Sequence, residues 1–124
     1  MESVLILEDD DETRTLYRTS LESEGVAVAE ATSMSEALAR LRDRTPDLIV
    51  ADLMLAGGSG ADLCRAVRTD AALRALPIVV VTGIAAEAAR ALLKEVAPDA
   101  VLIKPIDIDQ FTATCVGLLR PART

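Results

Sequence analysis

The run Leu48-Ile-Val-Ala-Asp52, preceded by Pro46 and followed by a loop holding Gly57, Gly58 and Gly60, constrains this chain most. An unbroken aliphatic stretch with punctuation at both ends reads as a strand buried on both faces, and such strands belong to parallel sheets. Asp52 then closes its strand at the carboxyl edge, which is where open parallel sheets bind ligands. Alone, an Asp in this place reads as a turn cap. What else arrives at the same edge decides between the two.

The remaining chain supplies four more strands and five helices. Val4-Leu-Ile-Leu7 runs directly into Glu8-Asp9-Asp10-Asp11-Glu12. Helical spacing from about 11 to 24 puts Leu16, Ser20 and Leu21 inward, with Gly25 as the C-terminal stop. Residues 26–30 form a second strand, and Ser33-Met-Ser-Glu36 is a capping box ahead of a helix with Ala37, Leu38 and Leu41 on its apolar face. Ser59 caps a helix carrying Leu63, Cys64 and Val67 on its buried side. The β-branched run ending at Thr82 is a strand, 86–96 an Ala-rich helix, and Val101-Leu-Ile103 the last strand, followed by Lys104-Pro105. Asp107 opens a final helix through Leu119. This alternation predicts one α/β domain over 1–124, a doubly wound five-stranded parallel sheet with right-handed crossovers and helices on both faces.

With strand order 2-1-3-4-5, Glu8 and Asp9 on one side and Thr82 on the other flank Asp52 at the strand spacing of about 4.8 Å. Lys104 comes from one strand further, roughly 10 Å away, which its side chain largely bridges. Crowded carboxylates repel, so the site favours a hard divalent cation with oxygen ligands, Mg²⁺ being the natural occupant. A phosphoryl group brought to Asp52 would have its charge shared by Mg²⁺, Lys104 and Thr82, with Asp52 as nucleophile. Asp10 reads as the cap of the first helix, and Asp11 and Glu12 as complements to its dipole.

Composition removes several classes. A net charge of -7 is a poor footprint for nucleic acid. With no histidine, zinc, haem and His-based catalysis lose their usual ligand or base. Cys64 and Cys115, far apart and within helical apolar patterns, read as free buried thiols. Neither a secretory signal nor a membrane-length apolar run is evident, and a cytoplasmic soluble protein is the expectation.

The four motifs Leu-Ile-Leu-Glu8-Asp9-Asp10 with Arg14, Ile-Val-Ala-Asp52-Leu-Met54, Val-Val-Val-Thr82-Gly83 and Leu-Ile-Lys104-Pro105 resemble the receiver domain of two-component response regulators over the whole chain. That resemblance implies the flavodoxin-like receiver fold and a signalling module rather than an enzyme. It implies Asp52 as phosphoacceptor, Mg²⁺ held by Glu8, Asp9, Asp52 and the Met54 carbonyl, and phosphoryl oxygens bound by Thr82, Lys104 and the Gly83 amide. It further implies a cis Lys104-Pro105 bond and a histidine kinase or phosphotransfer protein as donor. The signal then passes to a downstream protein partner by a population shift. Donor contact falls to helix one near Arg14 and Tyr17, and output or a homodimer to the helix four, strand five, helix five face.

The departures concern output. Val101 stands where the family usually carries Tyr or Phe, so a ring flip cannot couple to Thr82. Ala56 replaces a common Pro ahead of Gly57-Gly58, which predicts a mobile loop, Ala97-Pro98 replaces Gly-Ala, and Ile106 replaces a common Phe. Met54 and Ile84, two residues past Asp52 and Thr82, are apolar and cannot orient an attacking water, which predicts slow loss of the phosphoryl group. Only Arg120-Pro-Ala-Arg-Thr124 follows the last helix, so output is expected through protein contact or phosphate relay. Two rivals fall away: a haloacid dehalogenase-type phosphohydrolase wants an Asp where Met54 stands, and a nucleotide binder wants a phosphate-cradling first loop where this chain has carboxylates. The reading kept beside the phosphorylation switch is a receiver-fold adaptor uncoupled from phosphorylation.

Overall fold

The strands are β1 (Ser3–Leu7), β2 (Ala27–Ala31), β3 (Leu48–Asp52), β4 (Ile78–Thr82) and β5 (Ala100–Ile103), and the helices α1 (Asp11–Glu22), α2 (Met34–Asp43), α3 (Gly60–Thr69), α4 (Ala86–Leu92) and α5 (Ile108–Leu119). They come from a computed structural model describing residues 1–120; the stretch 121–124, which the sequence places past the last helix, lies outside the described residues. All pairings in the five-stranded sheet are parallel, in the order β2-β1-β3-β4-β5. That is the expected 2-1-3-4-5 winding, with β3 at the centre.

Residue alternation along the strands splits the core in two. Leu5, Leu7, Ile49, Ala51, Ile78 and Val80 pack under α2, α3 and α4, through Leu41, Leu63 and Ala89. Val4, Ile6, Leu48, Val50, Val79 and Val81 pack under α1 and α5, through Leu21, Phe111 and Cys115. Both cysteines are free and buried, and burial pushes their thiols up, Cys64 to about 11 and Cys115 to about 12, so neither is nucleophilic at neutral pH.

Three local expectations need correction. On α1 the inward residues are Tyr17 and Leu21, while Leu16 is 52% exposed. The i, i+4 pair sets the buried stripe, and Leu16, about 100° round the helix, falls at its border. Tyr17 stacks on Phe111 of α5 with ring centroids 4.3 Å apart. On α2 the Ser33 hydroxyl accepts the Glu36 amide as a cap does, but the Glu36 carboxylate accepts from the Thr32 amide and hydroxyl rather than from Ser33 itself.

The third correction is α4, which stops at Leu92 instead of reaching Val96. Turns continue to Val96, whose amide donates to the Leu93 carbonyl, and the chain leaves through Ala97 at φ 48. Pro98 disfavours a helical Ala97, and Arg68 of α3 takes the Val96 and Ala97 carbonyls. A left-handed Ala costs on the order of 1 kcal/mol that glycine would not. Ala97 is exposed, so Ala97→Gly is expected to stabilise the fold by up to about 1 kcal/mol in denaturant titration.

Candidate functional site

The strand register delivers the site. Leu7 pairs with Ala51, Asp52 with Val81, and Thr82 with Ile103, so these strands end along one edge. Glu8 continues from β1, its amide still bonded to the Ala31 carbonyl at 3.1 Å. One carboxylate oxygen from each of Glu8, Asp9 and Asp52 lies within 4.8 Å of the others. Lys104 reaches in from the end of β5, its ammonium 2.7 Å from Asp52 Oδ2 and 3.2 Å from Glu8 Oε1. The Lys104-Pro105 bond is cis.

Glu8 and Asp52 are almost fully buried, at 1% and 3% exposure, and beside Lys104 each has one backbone amide as a partner. The Met54 amide donates to Asp52 Oδ1 at 2.9 Å, and the Asp10 amide to Glu8 Oε2 at 3.1 Å. Asp10 itself caps α1, accepting the Thr13 amide. Thr82 is fully buried and its hydroxyl accepts the Ile84 amide at 3.1 Å, while Gly83 beside it is exposed. The structure therefore brings Glu8, Asp9, Asp52 and Lys104 into contact, with Met54, Thr82 and Gly83 at the border.

The loop for which two glycines predict mobility folds back as a two-residue antiparallel ladder, Met54 against Ser59 and Leu55 against Gly58. The Ala56 amide at its tip donates to Asp9 Oδ2 at 2.8 Å, tying loop to site. Beyond the ladder Gly60 opens α3 directly on the Asp52 main chain, where an added Cβ would stand 2.0 Å from the Asp52 carbonyl oxygen. Gly60 is not among the site residues expected from the sequence. The available signal was a glycine in the first turn of a helix, where it is unfavourable without a packing reason.

Charge in this pocket is unbalanced. Burial, and the neighbouring Asp52, push the Glu8 carboxyl up to about 7 against the pull of the Asp10 amide and Lys104. Burial alone would lower the Lys104 ammonium, but its hydrogen bond and charge pairing with Asp52 and Glu8 outweigh that and raise it. One cation thus serves two buried carboxylates, with Asp9 beside them.

A cluster of acids and a lysine at the carboxyl edge of a 2-1-3-4-5 sheet narrows the comparison, and the sequence profile of the response regulator receiver domain matches residues 4–115. The chain belongs to the response regulator receiver family. It is thus a receiver domain of two-component signalling. Among relatives of this receiver, the phosphate regulon regulator PhoB of Rhizobium meliloti is 33% identical over 97% of the chain and 53% of that protein. The polar-differentiation response regulator DivK of Brucella ovis is 31% identical over 97% of the chain and 98% of that protein. The receiver thus spans about half of PhoB but nearly all of DivK. A sensor protein of Polaromonas sp. JS666 matches it structurally with a TM-score of 0.86 at 30% identity, over 95% of both chains.

The donors of the receiver's acidic cluster are all carboxylate oxygens, with no histidine in the chain and both cysteines elsewhere. Such a set suits a hard divalent cation such as Mg²⁺ and not zinc or copper. Among the described residues no helix is long and apolar enough to cross a membrane.

Proposed function

We propose that the chain acts as one phosphoacceptor receiver over 1–124, in which Asp52 takes a phosphoryl group from a histidine kinase or a phosphotransfer protein in the cytoplasm. The observation that carries this is the Asp52 carboxylate, buried at the end of the central strand, 2.7 Å from Lys104 and grouped with Glu8 and Asp9. Glu8, Asp9, Asp52 and the Met54 carbonyl would hold Mg²⁺, which when bound supplies positive charge beside the reacting carboxylate. An Asp52 oxygen forms the new bond to phosphorus as the P–N bond of the donor breaks, its electron pair returning to the imidazole. Lys104, the Thr82 hydroxyl and the Gly83 amide would take the phosphoryl oxygens.

The donor would approach between α1 and α5. Thr13, Leu16 and Tyr17 line a cavity of about 210 Å³ there together with Lys104, Ile106 and Ile108. The exposed Leu16 gives that rim an apolar contact. Output would pass through protein contact. Val101 and Ile103 of β5, 38% and 40% exposed, and Leu92 of α4, 43% exposed, offer apolar surface for a downstream partner or a second copy.

The raised Glu8 predicts how the cation binds. Below about pH 7 Glu8 carries a proton that Mg²⁺ must displace, so affinity is expected to fall roughly tenfold from pH 7.5 to pH 6 and to level off above. Calorimetric titrations across that range check this, and a pH-independent affinity contradicts it. Without cation the sign reverses for stability: the folded state holds the Glu8 proton more tightly than the unfolded state. That contribution is full below 4.5 and lost as pH rises through about 7.

Val101 favours a second reading, a receiver-fold adaptor uncoupled from phosphorylation, because no aromatic on β5 links Thr82 to the surface. Amide exchange with Mg²⁺, with and without beryllium fluoride, separates the two. Protection changes spreading from Asp52 to α4 and β5, absent in Asp52→Asn, support the switch; changes confined to the pocket support the adaptor.

A further inference from the structure

We propose that Arg14 is a positioning residue for the cation site, fixing the Glu8 main chain so that the Glu8 and Asp9 carboxylates meet Asp52. This rests on the reading of those acids as cation ligands. Arg14 stands on α1 with its side chain only 14% exposed, and each part of its guanidinium has a separate partner. Nε donates to Glu30 Oε1 at 3.1 Å, Nη1 to the Glu8 carbonyl at 3.0 Å and Nη2 to Asp11 Oδ1 at 2.6 Å. Glu30, on β2, is itself held by Arg18 at 2.9 Å.

The fork thus joins β2, the end of β1 and the first turn of α1. Past Leu7 the sheet supplies no further partner for the Glu8 carbonyl, and Arg14 takes its place. The Glu8 amide is anchored to the Ala31 carbonyl of β2 directly, and its carbonyl to Glu30 of β2 through Arg14. With Asp10 and Lys104 on the carboxylate, all of its polar groups are fixed. Groups that orient a metal ligand typically change metal affinity about 10–100-fold when removed.

The contribution is geometric rather than a matter of net charge. Asp11 and Glu30 already pair with the guanidinium. A lysine would keep the charge, but its single compact head cannot span three partners in a fixed plane. Arg14→Lys is therefore expected to behave like Arg14→Met.

The test is calorimetric titration of the metal-free protein with MgCl₂, above the pH at which Glu8 titrates, beside thermal melts in EDTA. Wild type is expected to bind one Mg²⁺ and Asp9→Asn to lose it. Arg14→Met and Arg14→Lys are expected to bind about tenfold more weakly while still melting cooperatively. In Arg14→Met/Glu30→Ala, binding is expected to be no weaker than in Arg14→Met alone, because both changes cut one chain of contacts. A lower melting temperature with unchanged Mg²⁺ affinity makes Arg14 a structural brace and overturns the proposal. Equal binding by wild type and Asp9→Asn, or none by wild type, instead overturns the cation reading, and the proposal with it. If Arg14→Met does not fold, Arg14→Lys and Glu30→Ala decide the matter, and unchanged affinity in both overturns the proposal.

Discussion

Gly60→Ala is expected to lower stability by about 3 kcal/mol, or roughly 10 °C in melting temperature for a domain of this size. The cause is contact and not backbone conformation, since Gly25 is the glycine with positive φ among the described residues. A methyl at 60 would stand 2.0 Å from the Asp52 carbonyl oxygen and 2.9 Å from its carbon, and both belong to main chain that cannot rotate aside. The first turn of α3 must therefore withdraw from β3, and the Gly60 amide, 3.2 Å from the Leu53 carbonyl, must leave it. Gly57 and Gly58 are the internal control, because an added Cβ at either meets nothing within 4 Å. Changing either to Ala is expected to alter stability by less than about 0.5 kcal/mol. Similar losses at all three positions would show that loop freedom, not the approach to Asp52, makes glycine necessary.

Lys104→Met is expected to have the other large effect, on both stability and phosphorylation. It leaves Glu8 and Asp52, nearly fully buried, without their ammonium partner. Breaking a buried pair costs about 3–5 kcal/mol, and since the Lys104 side chain is 32% exposed, about 2–3 kcal/mol is the expected loss at alkaline pH. The pH dependence distinguishes this from lost packing. Glu8 titrates near 7 with Lys104 present, and Lys104 is one of the influences holding it down. Without Lys104 the carboxyl takes its proton at higher pH, so the destabilisation is expected to shrink as pH falls through neutrality. Mg²⁺ is expected to restore part of the loss as a substitute cation, while phosphorylation by a small-molecule donor is abolished or nearly so. Denaturant titrations at pH 8 and pH 6, with and without Mg²⁺, check this; an equal loss under all conditions contradicts it.

The sheet was legible because its strands are short aliphatic runs with punctuation at both ends, and because the acids, hydroxyl and amine fall just past those runs. Parallel register then leaves little freedom: once Asp52 ends β3, Glu8 and Thr82 must flank it. What stayed hidden depends on approach distances and angles that residue order does not carry. Leu16 and Tyr17 are adjacent and both apolar enough to face inward, and the stack on Phe111 decides for Tyr17. The Ala-rich segment after Thr82 has helical propensity through Val96, yet the helix stops at Leu92 and turns carry the chain on to Val96, where Arg68 takes the carbonyls. Gly60 followed two other glycines and looked like one more loop residue. Arg14 belonged to the first motif, but only the folded chain shows its fork on the Glu8 carbonyl.

Whether Asp52 is the residue that takes the phosphoryl group is read by intact-mass measurement after incubation with acetyl phosphate and Mg²⁺. One added phosphoryl group per chain is expected in wild type, labile to hydroxylamine as an acyl phosphate, and none in Asp52→Asn or in EDTA. Failure of wild type to gain mass with Mg²⁺ present, or equal gain by Asp52→Asn, would contradict it.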